Sequence, residues 1–292
     1  MTGPGATPMT RSDQPQGALA VAIVGSRGKM GAMLMARLTQ AGHRVCGVDR
    51  EESALAAPGA ITLEFRPQDL AAALAASEYL LVCVPATAFA ATVQLLLPHL
   101  RPGHVLMDIS SVKVMPMNVM ETAFSGAVVG THPLFGPLPR PEEMRVAMVR
   151  GQQASNLQCE HCARLFTSMG CTVFWCGAEE HDRGVGMAQS LNFALSAAYF
   201  ATLARSGDRR FFTPSFRRHL ESARKHLTED AAMFCEFTSE NPAFAKVLEN
   251  YSQALLEALE QGNSFRDGGL ARLAAEAAVW YGEGEVRERK NS

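Results

Sequence analysis

Leu19-Ala-Val-Ala-Ile-Val24-Gly25-Ser26-Arg27-Gly28-Lys29-Met30-Gly31 is the stretch whose reading decides the fold. Residues 19–24 form an unbroken apolar run, the pattern of a strand buried on both faces. Three glycines follow at G-x-x-G-x-x-G spacing, and a helical pattern then runs to Ala41, with Gly42 as its stop. Glycines at a strand-to-helix junction permit a tight turn and let backbone N–H groups approach a pyrophosphate, which rests on the helix N-terminus. A glycine triplet alone is weak evidence. Here a second strand, residues 44–49, ends in Asp49, the position whose carboxylate bonds the adenine ribose hydroxyls. The expected cofactor-binding residues are Gly25, Ser26, Arg27, Gly28, Lys29, Met30, Gly31 and Asp49. The Asp49 carboxylate would repel a 2′-phosphate and so favours NAD, while Arg50 and Arg27 keep NADP open.

Outward from this unit the apolar runs continue at residues 61–63, 79–84 and 105–109, with helical segments at 67–76 and 86–97 between them. Alternation of this kind means β-α-β units and a parallel sheet. Residues 127–129 and 146–149 are read as further strands, and 171–174 as an edge strand. After residue 178 the strand-like runs stop. Stretches rich in Ala, Leu, Glu and Arg take over at 179–205, 214–238, 242–261 and 269–280, and their apolar spacing implies a helical bundle. The expected organisation is a flexible tail over 1–17, an α/β Rossmann-type parallel-sheet domain over 18–178, and an all-α substrate and dimerisation domain over 179–284.

Composition excludes several classes. The chain has 292 residues, 47% of them hydrophobic and 19% charged, with a net charge of −2. Nucleic-acid binders carry a basic surplus, so none is expected. No segment reaches the ~18–20 unbroken apolar residues of a membrane helix, and the first 17 residues lack the pattern of a secretory signal. Seven scattered cysteines suit reduced thiols in a cytoplasm. Cys159 and Cys162 form a C-x-x-C around His161, but no second pair stands at zinc spacing. The stretch reads as a helix, and all three residues are expected on its surface.

Three further segments carry a family resemblance. Val84-Pro85 ends the fourth strand, Asp108-Ile-Ser-Ser-Val-Lys113 leaves the fifth, and Gly130-Thr-His-Pro-Leu-Phe-Gly-Pro137 is read as following the sixth. With the glycine loop and His181-Asp182 at the start of the helical part, the chain resembles the prephenate dehydrogenase family from about residue 19 to about residue 250. The resemblance implies an NAD(P)-dependent oxidative decarboxylation of a small dicarboxylate. Hydride leaves C4 of a cyclohexadiene, the ring carboxylate leaves as CO2, and a para-substituted phenylpyruvate forms. It makes His132 the base that takes the proton of the C4 substituent, a role suited to an imidazole near neutral pH. It makes Ser111 a residue touching both that substituent and the nicotinamide, although a serine there also suits a helix N-cap. Val84 and Pro85 join the cofactor residues, and Lys113 is read as structural or cofactor-facing. The resemblance further implies a homodimer through the helical domain.

Two positions depart from the family pattern. A family Gln-x-x-x-His reads here Gln189-Ser-Leu-Asn192-Phe193, so phenylalanine stands where a second histidine reaches the C4 hydroxyl. After Phe216-Arg217, Lys225 stands where the family has an arginine holding a substrate carboxylate, unless Arg224 is the counterpart. A lysine there replaces a bidentate fork by a point charge. The expected substrate-binding residues are therefore Ser111, Gln189, Asn192, Phe193, Arg217 and Lys225. With the base and cofactor loop kept, these changes point to altered recognition. The expected substrate is 4-amino-4-deoxyprephenate, from a specialised pathway of the antibiotic type, because phenylalanine offers its π face to an ammonium group. The alternatives are prephenate itself in tyrosine biosynthesis, with Phe193 a core residue, and a non-catalytic NAD-binding regulator. A β-hydroxyacid dehydrogenase or imine reductase shares the plan but carries different segments after the fourth and fifth strands. No fused chorismate mutase or C-terminal regulatory domain is expected.

Overall fold

The computed structural model describes residues 17–50, 61–64, 67–228 and 239–260. Its strands are β1 (Ala20–Val24), β2 (Arg44–Asp49), β3 (Ile61–Glu64), β4 (Tyr79–Val82), β5 (Val105–Asp108), β6 (Ala127–Pro133), β7 (Arg145–Arg150) and β8 (Thr172–Trp175). They form one sheet in the order β3-β2-β1-β4-β5-β6-β7-β8. All pairings are parallel except β6 with β7. The sequence reverses direction of travel across the sheet between β3 and β4, so a crevice opens beyond the C-terminal ends of β1 and β4.

Helices α1 (Lys29–Gln40), α2 (Pro67–Ala75), α3 (Ala86–Leu96), α4 (Val114–Ala123) and α5 (Asn156–Thr167) connect these strands. Successive side chains of a strand point to opposite faces, and β1 shows the result. Val21 and Ile23 pack with Leu34 and Leu38 of α1 and with Phe166 of α5. Ala22 and Val24 pack on the other face with Leu74, Phe89 and Met120 of α2, α3 and α4. A sheet covered on both sides needs apolar residues at every strand position, which is why β1 and β4 read as unbroken apolar runs.

Helices α6 (Ala178–Val185), α7 (Leu191–Ser206) and α8 (Pro214–Thr228) follow, with a π-helical turn, Gly186–Ser190, between α6 and α7. By internal contacts the chain forms two units, Met1–Phe244 and Ala245–Ser292. The last described helix, α9 (Phe244–Glu260), presents Leu248, Leu255 and Leu256 exposed and carries a Lys246–Glu249 ion pair. The helical stretch expected over 269–280 and residues 229–238 of the one expected over 214–238 lie outside the described residues. Among the described residues no helix is long and apolar enough to cross a membrane, and no group of three metal-ligating side chains occurs.

Two expectations need correction. Cys159 and Cys162 are not surface thiols: they occupy the buried face of α5, with Cys162 fully inaccessible. Their three-residue spacing puts both on the stripe that meets the sheet. His161, turned partly away, bonds the Tyr79 hydroxyl at 2.6 Å. Secondly, Gly130-Thr-His-Pro does not follow the sixth strand but lies in it. The antiparallel neighbour β7 extends the ladder to His132↔Ala147 and Pro133↔Val146, whereas the parallel partner β5 stops at Val129.

Candidate active site

Gly25 turns the chain out of β1 in the left-handed region, at φ +86°, and a Cβ there would lie 2.4 Å from the Cys83 carbonyl oxygen. A Cβ on Gly31 would lie 2.2 Å from the Gly25 carbonyl oxygen, so α1 can close onto the loop only as glycine. Gly28 caps α1 without any side-chain bond to the helix N-terminus. The first N–H groups of α1 therefore have no side-chain cap, the arrangement that receives a phosphate. Asp49 braces the loop from β2: one carboxylate oxygen accepts the Arg27 N–H at 2.8 Å, the other the Arg50 N–H at 2.7 Å. A cavity of about 310 Å³ opens here, and Gly25, Gly28, Asp49, Val84 and Pro85 all line it. Of the remaining loop residues, Ser26 is buried, Arg27 and Met30 half-buried, and Lys29 exposed. Glycine backbone, uncapped helix and ribose-level carboxylate together fit a dinucleotide.

The link from β5 to α4 is organised by two buried ions. Lys113 is wholly buried, and its Nζ donates to the Asp108 carboxylate and, at 2.7 Å, to the Thr131 carbonyl oxygen in β6. Burial pulls the Lys113 ammonium below its ordinary value, while the Asp108 carboxylate opposes the shift. Asp108 also accepts the N–H groups of Ser110 at 2.8 Å and Thr131 at 3.2 Å. A buried ion pair is tolerated only when its remaining bonding capacity is met in this way. Ser111 sits half-buried in this link and does not serve as the N-cap: α4 begins at Val114, after Lys113. The capping carboxylate comes from α6 instead. Asp182 accepts the Lys113 N–H at 2.6 Å and the Val114 N–H at 2.9 Å.

Asp182 also binds the neighbouring imidazole, with His181 Nδ1 at 2.8 Å, and His181 Nε2 meets His132 Nδ1 at 2.9 Å. All three residues are buried. His132 is held well below the ordinary histidine range, first by burial, then by its neighbours His181 and Lys113, and so is neutral at physiological pH. His132, Ala147 and Phe174 stand opposite one another in β6, β7 and β8, so they share one face of the sheet. On that face lies a cavity of about 300 Å³ lined by Ala147, Phe174, Cys176, Glu180, His181 and Gln189. Gln189 belongs to the π-helical turn, a distortion often found at functional sites. Phe193 is buried in α7, Asn192 is exposed there, and Arg217 is exposed in α8. Arg224 pairs with Glu221 at 3.3 Å, and the Lys225 side chain lies outside the described residues.

Sequence reading alone gave His181 and Asp182 no role beyond the resemblance, and it did not pair Asp108 with Lys113. A signal existed for the second: a carboxylate ending a central strand is buried, and needs a cation within a few residues.

Sheet order, glycine loop and Asp49 define a dinucleotide-binding Rossmann domain. Residues 34–148 match the family model described as prephenate dehydrogenase, nucleotide-binding domain. Among curated relatives, a probable arogenate/prephenate dehydrogenase of Methanocaldococcus jannaschii is 23% identical over 275 residues, 90% of this chain and 61% of that protein. The T-protein of Haemophilus influenzae is 24% identical over 268 residues, covering 90% of this chain and 67% of its own length. The chain thus spans about six tenths to two thirds of these relatives. Similar solved structures include Synechocystis arogenate dehydrogenase, with a TM-score of 0.73 and 21% identity, covering 89% of this chain and 97% of that one. Prephenate dehydrogenase of A. aeolicus, in complex with hydroxyphenyl propionate and NAD+, gives a TM-score of 0.74 at 17% identity, covering 89% of this chain and 96% of that one.

Proposed function

We propose that the protein is an NAD-dependent dehydrogenase that oxidatively decarboxylates a prephenate-type cyclohexadiene. The observation that carries this reading is His132, buried and neutral in β6, on the sheet face that bears the Gln189-lined cavity. Bound at the glycine loop, NAD supplies the hydride acceptor. The N–H groups that open α1 would hold the pyrophosphate, and Asp49 the adenine ribose, with Val84 and Pro85 alongside. His132 accepts the proton of the C4 substituent as hydride leaves C4. The C1–carboxylate bond breaks, CO2 departs, and its electron pair enters the ring. Ser111 is read as facing the C4 substituent, and Gln189, Asn192, Phe193, Arg217 and Lys225 as the substrate side. Residues 179–284 would form the substrate and dimerisation region, making the active protein a cytoplasmic homodimer, which size-exclusion chromatography with light scattering checks.

The finer reading is 4-amino-4-deoxyprephenate as substrate, giving 4-aminophenylpyruvate in a specialised pathway. It rests on Phe193, buried where a hydroxyl-binding histidine is otherwise expected. The test is a side-by-side assay of prephenate, arogenate and the 4-amino analogue with NAD and NADP. The amino substrate should give the highest kcat/KM, and NAD should be preferred. Efficient turnover of prephenate with no turnover of the amine makes Phe193 a core residue and the protein a tyrosine-pathway enzyme. For the base, His132→Asn should keep NAD affinity and lower turnover by ~10²-fold or more. Hydride transfer to NAD from none of the substrates would favour a regulator.

A further inference from the structure

We propose that His181 and Asp182 are positioning residues for His132: they fix its Nε2 as the proton acceptor and take up the positive charge that the reaction leaves behind. The proposal rests on the reading of His132 as the base, and deepens it.

The hydrogen-bond chain fixes the tautomers. Three N–H groups converge on Asp182: those of Lys113, Val114 and the His181 ring. A carboxylate surrounded by donors can only accept, so His181 carries its proton on Nδ1. Neutral His181 then offers a lone pair at Nε2, and His132 Nδ1 must be the donor across the 2.9 Å contact. The lone pair of His132 is left on Nε2. Without this chain the two tautomers of a neutral imidazole would compete, and one of them has no basic nitrogen at Nε2.

The same geometry directs the charge. Burial and the positive charge of Lys113, whose ammonium bonds the Thr131 carbonyl oxygen one residue before His132, both oppose a cation there. His181 faces the Asp182 carboxylate, with the Glu180 carboxyl and the Cys176 thiol lining the same cavity. When the C4 substituent gives its proton to His132 Nε2, the Nδ1–H bond of His132 breaks and that proton passes to His181 Nε2. One proton enters His132 and one leaves. His132 ends neutral and protonated at Nε2, and His181 ends as an imidazolium beside Asp182. The carboxylate keeps its charge and its bonds to the α4 N-terminus throughout.

The experiment compares full-length wild type with His181→Leu and His181→Gln, measuring kcat, KM, NAD affinity and the pH profile of kcat/KM. The substrate is whichever of prephenate or its 4-amino analogue wild type turns over. His181→Leu removes the acceptor for His132 Nδ1 and the resting place of the proton. It should lower kcat by ~10²-fold with NAD affinity unchanged, and shift the acid limb to lower pH, because His132 beside Lys113 then titrates alone. His181→Gln, whose Oε1 can still accept the Nδ1–H, should recover part of kcat but keep the shifted limb. Unchanged kcat in either variant overturns the proposal. So does a reduced kcat with the acid limb of wild type, which is what a packing role would give. If His132→Asn itself turns over normally, the parent reading fails rather than this one.

Discussion

Phe193 and Lys113 show how one side chain can carry two kinds of consequence. Phe193 is buried, so whatever replaces it must either find a partner or lose one. Phe193→His should raise kcat/KM for prephenate relative to the 4-amino analogue by on the order of tenfold, since a hydroxyl partner is typically worth about 1–3 kcal/mol. A ratio that does not move would assign Phe193 to packing alone. Lys113 has a different weight. It is the buried cation that pairs with Asp108, and its ammonium also reaches the Thr131 carbonyl oxygen, one residue before His132. Lys113→Met would strand the Asp108 carboxylate in an apolar interior, at a cost of about 3–5 kcal/mol. Chemical denaturation reads that loss directly, and a variant within 1 kcal/mol of wild type (roughly the worth of an exposed pair) would show that the pair contributes little.

At the scale of elements the glycine loop is the least tolerant part. Gly31→Ala places a methyl against the Gly25 carbonyl oxygen, and backbone atoms on both sides leave it nowhere to go. The variant should fold, because the two apolar faces of the sheet are untouched, yet lose NAD binding by at least about tenfold in a fluorescence titration. NAD binding at wild-type affinity would remove the loop from the cofactor site. Most of this layer was legible beforehand. β1, β4 and β5 read as apolar runs because burial on both faces leaves no alternation to decode. What could not be read was where strands end when a neighbour runs the other way: β7 extends β6 through His132, and that pairing is long-range. The capping of α4 is long-range as well. Ser111 is the local candidate, whereas the carboxylate that does the capping arrives from Asp182, 69 residues from Lys113 along the chain. Cys159 and Cys162 share the buried stripe of α5 with Leu165 and Phe166, a helical spacing that the C-x-x-C motif by itself does not reveal.

For the molecule as a whole, the titration of buried histidines sets a direction for acid stability. His43, His104 and His132 all lie below the ordinary histidine range, each chiefly through burial. The unfolded chain binds protons at these positions below pH ~6.5, while the folded protein resists them. Stability is therefore fully present above that pH and falls as pH drops through it, by up to about 1.4 kcal/mol per pH unit for a histidine that stays neutral when folded. Urea midpoints at pH 7.5, 6.5 and 5.5 should decline in that order, and His132→Asn should flatten the decline. A midpoint that rises towards pH 5.5 would contradict the assignment.

Asp182 holds the first turn of α4 and orients the imidazole next to it with the same two oxygens. Evolutionary drift at this position is therefore constrained twice. Removing the carboxylate uncaps the first turn of α4 whatever happens to the substrate. The contact that orients His181 is thus tied to the contact that holds α4 on the sheet, so a change at Asp182 is felt by the imidazole and the helix together.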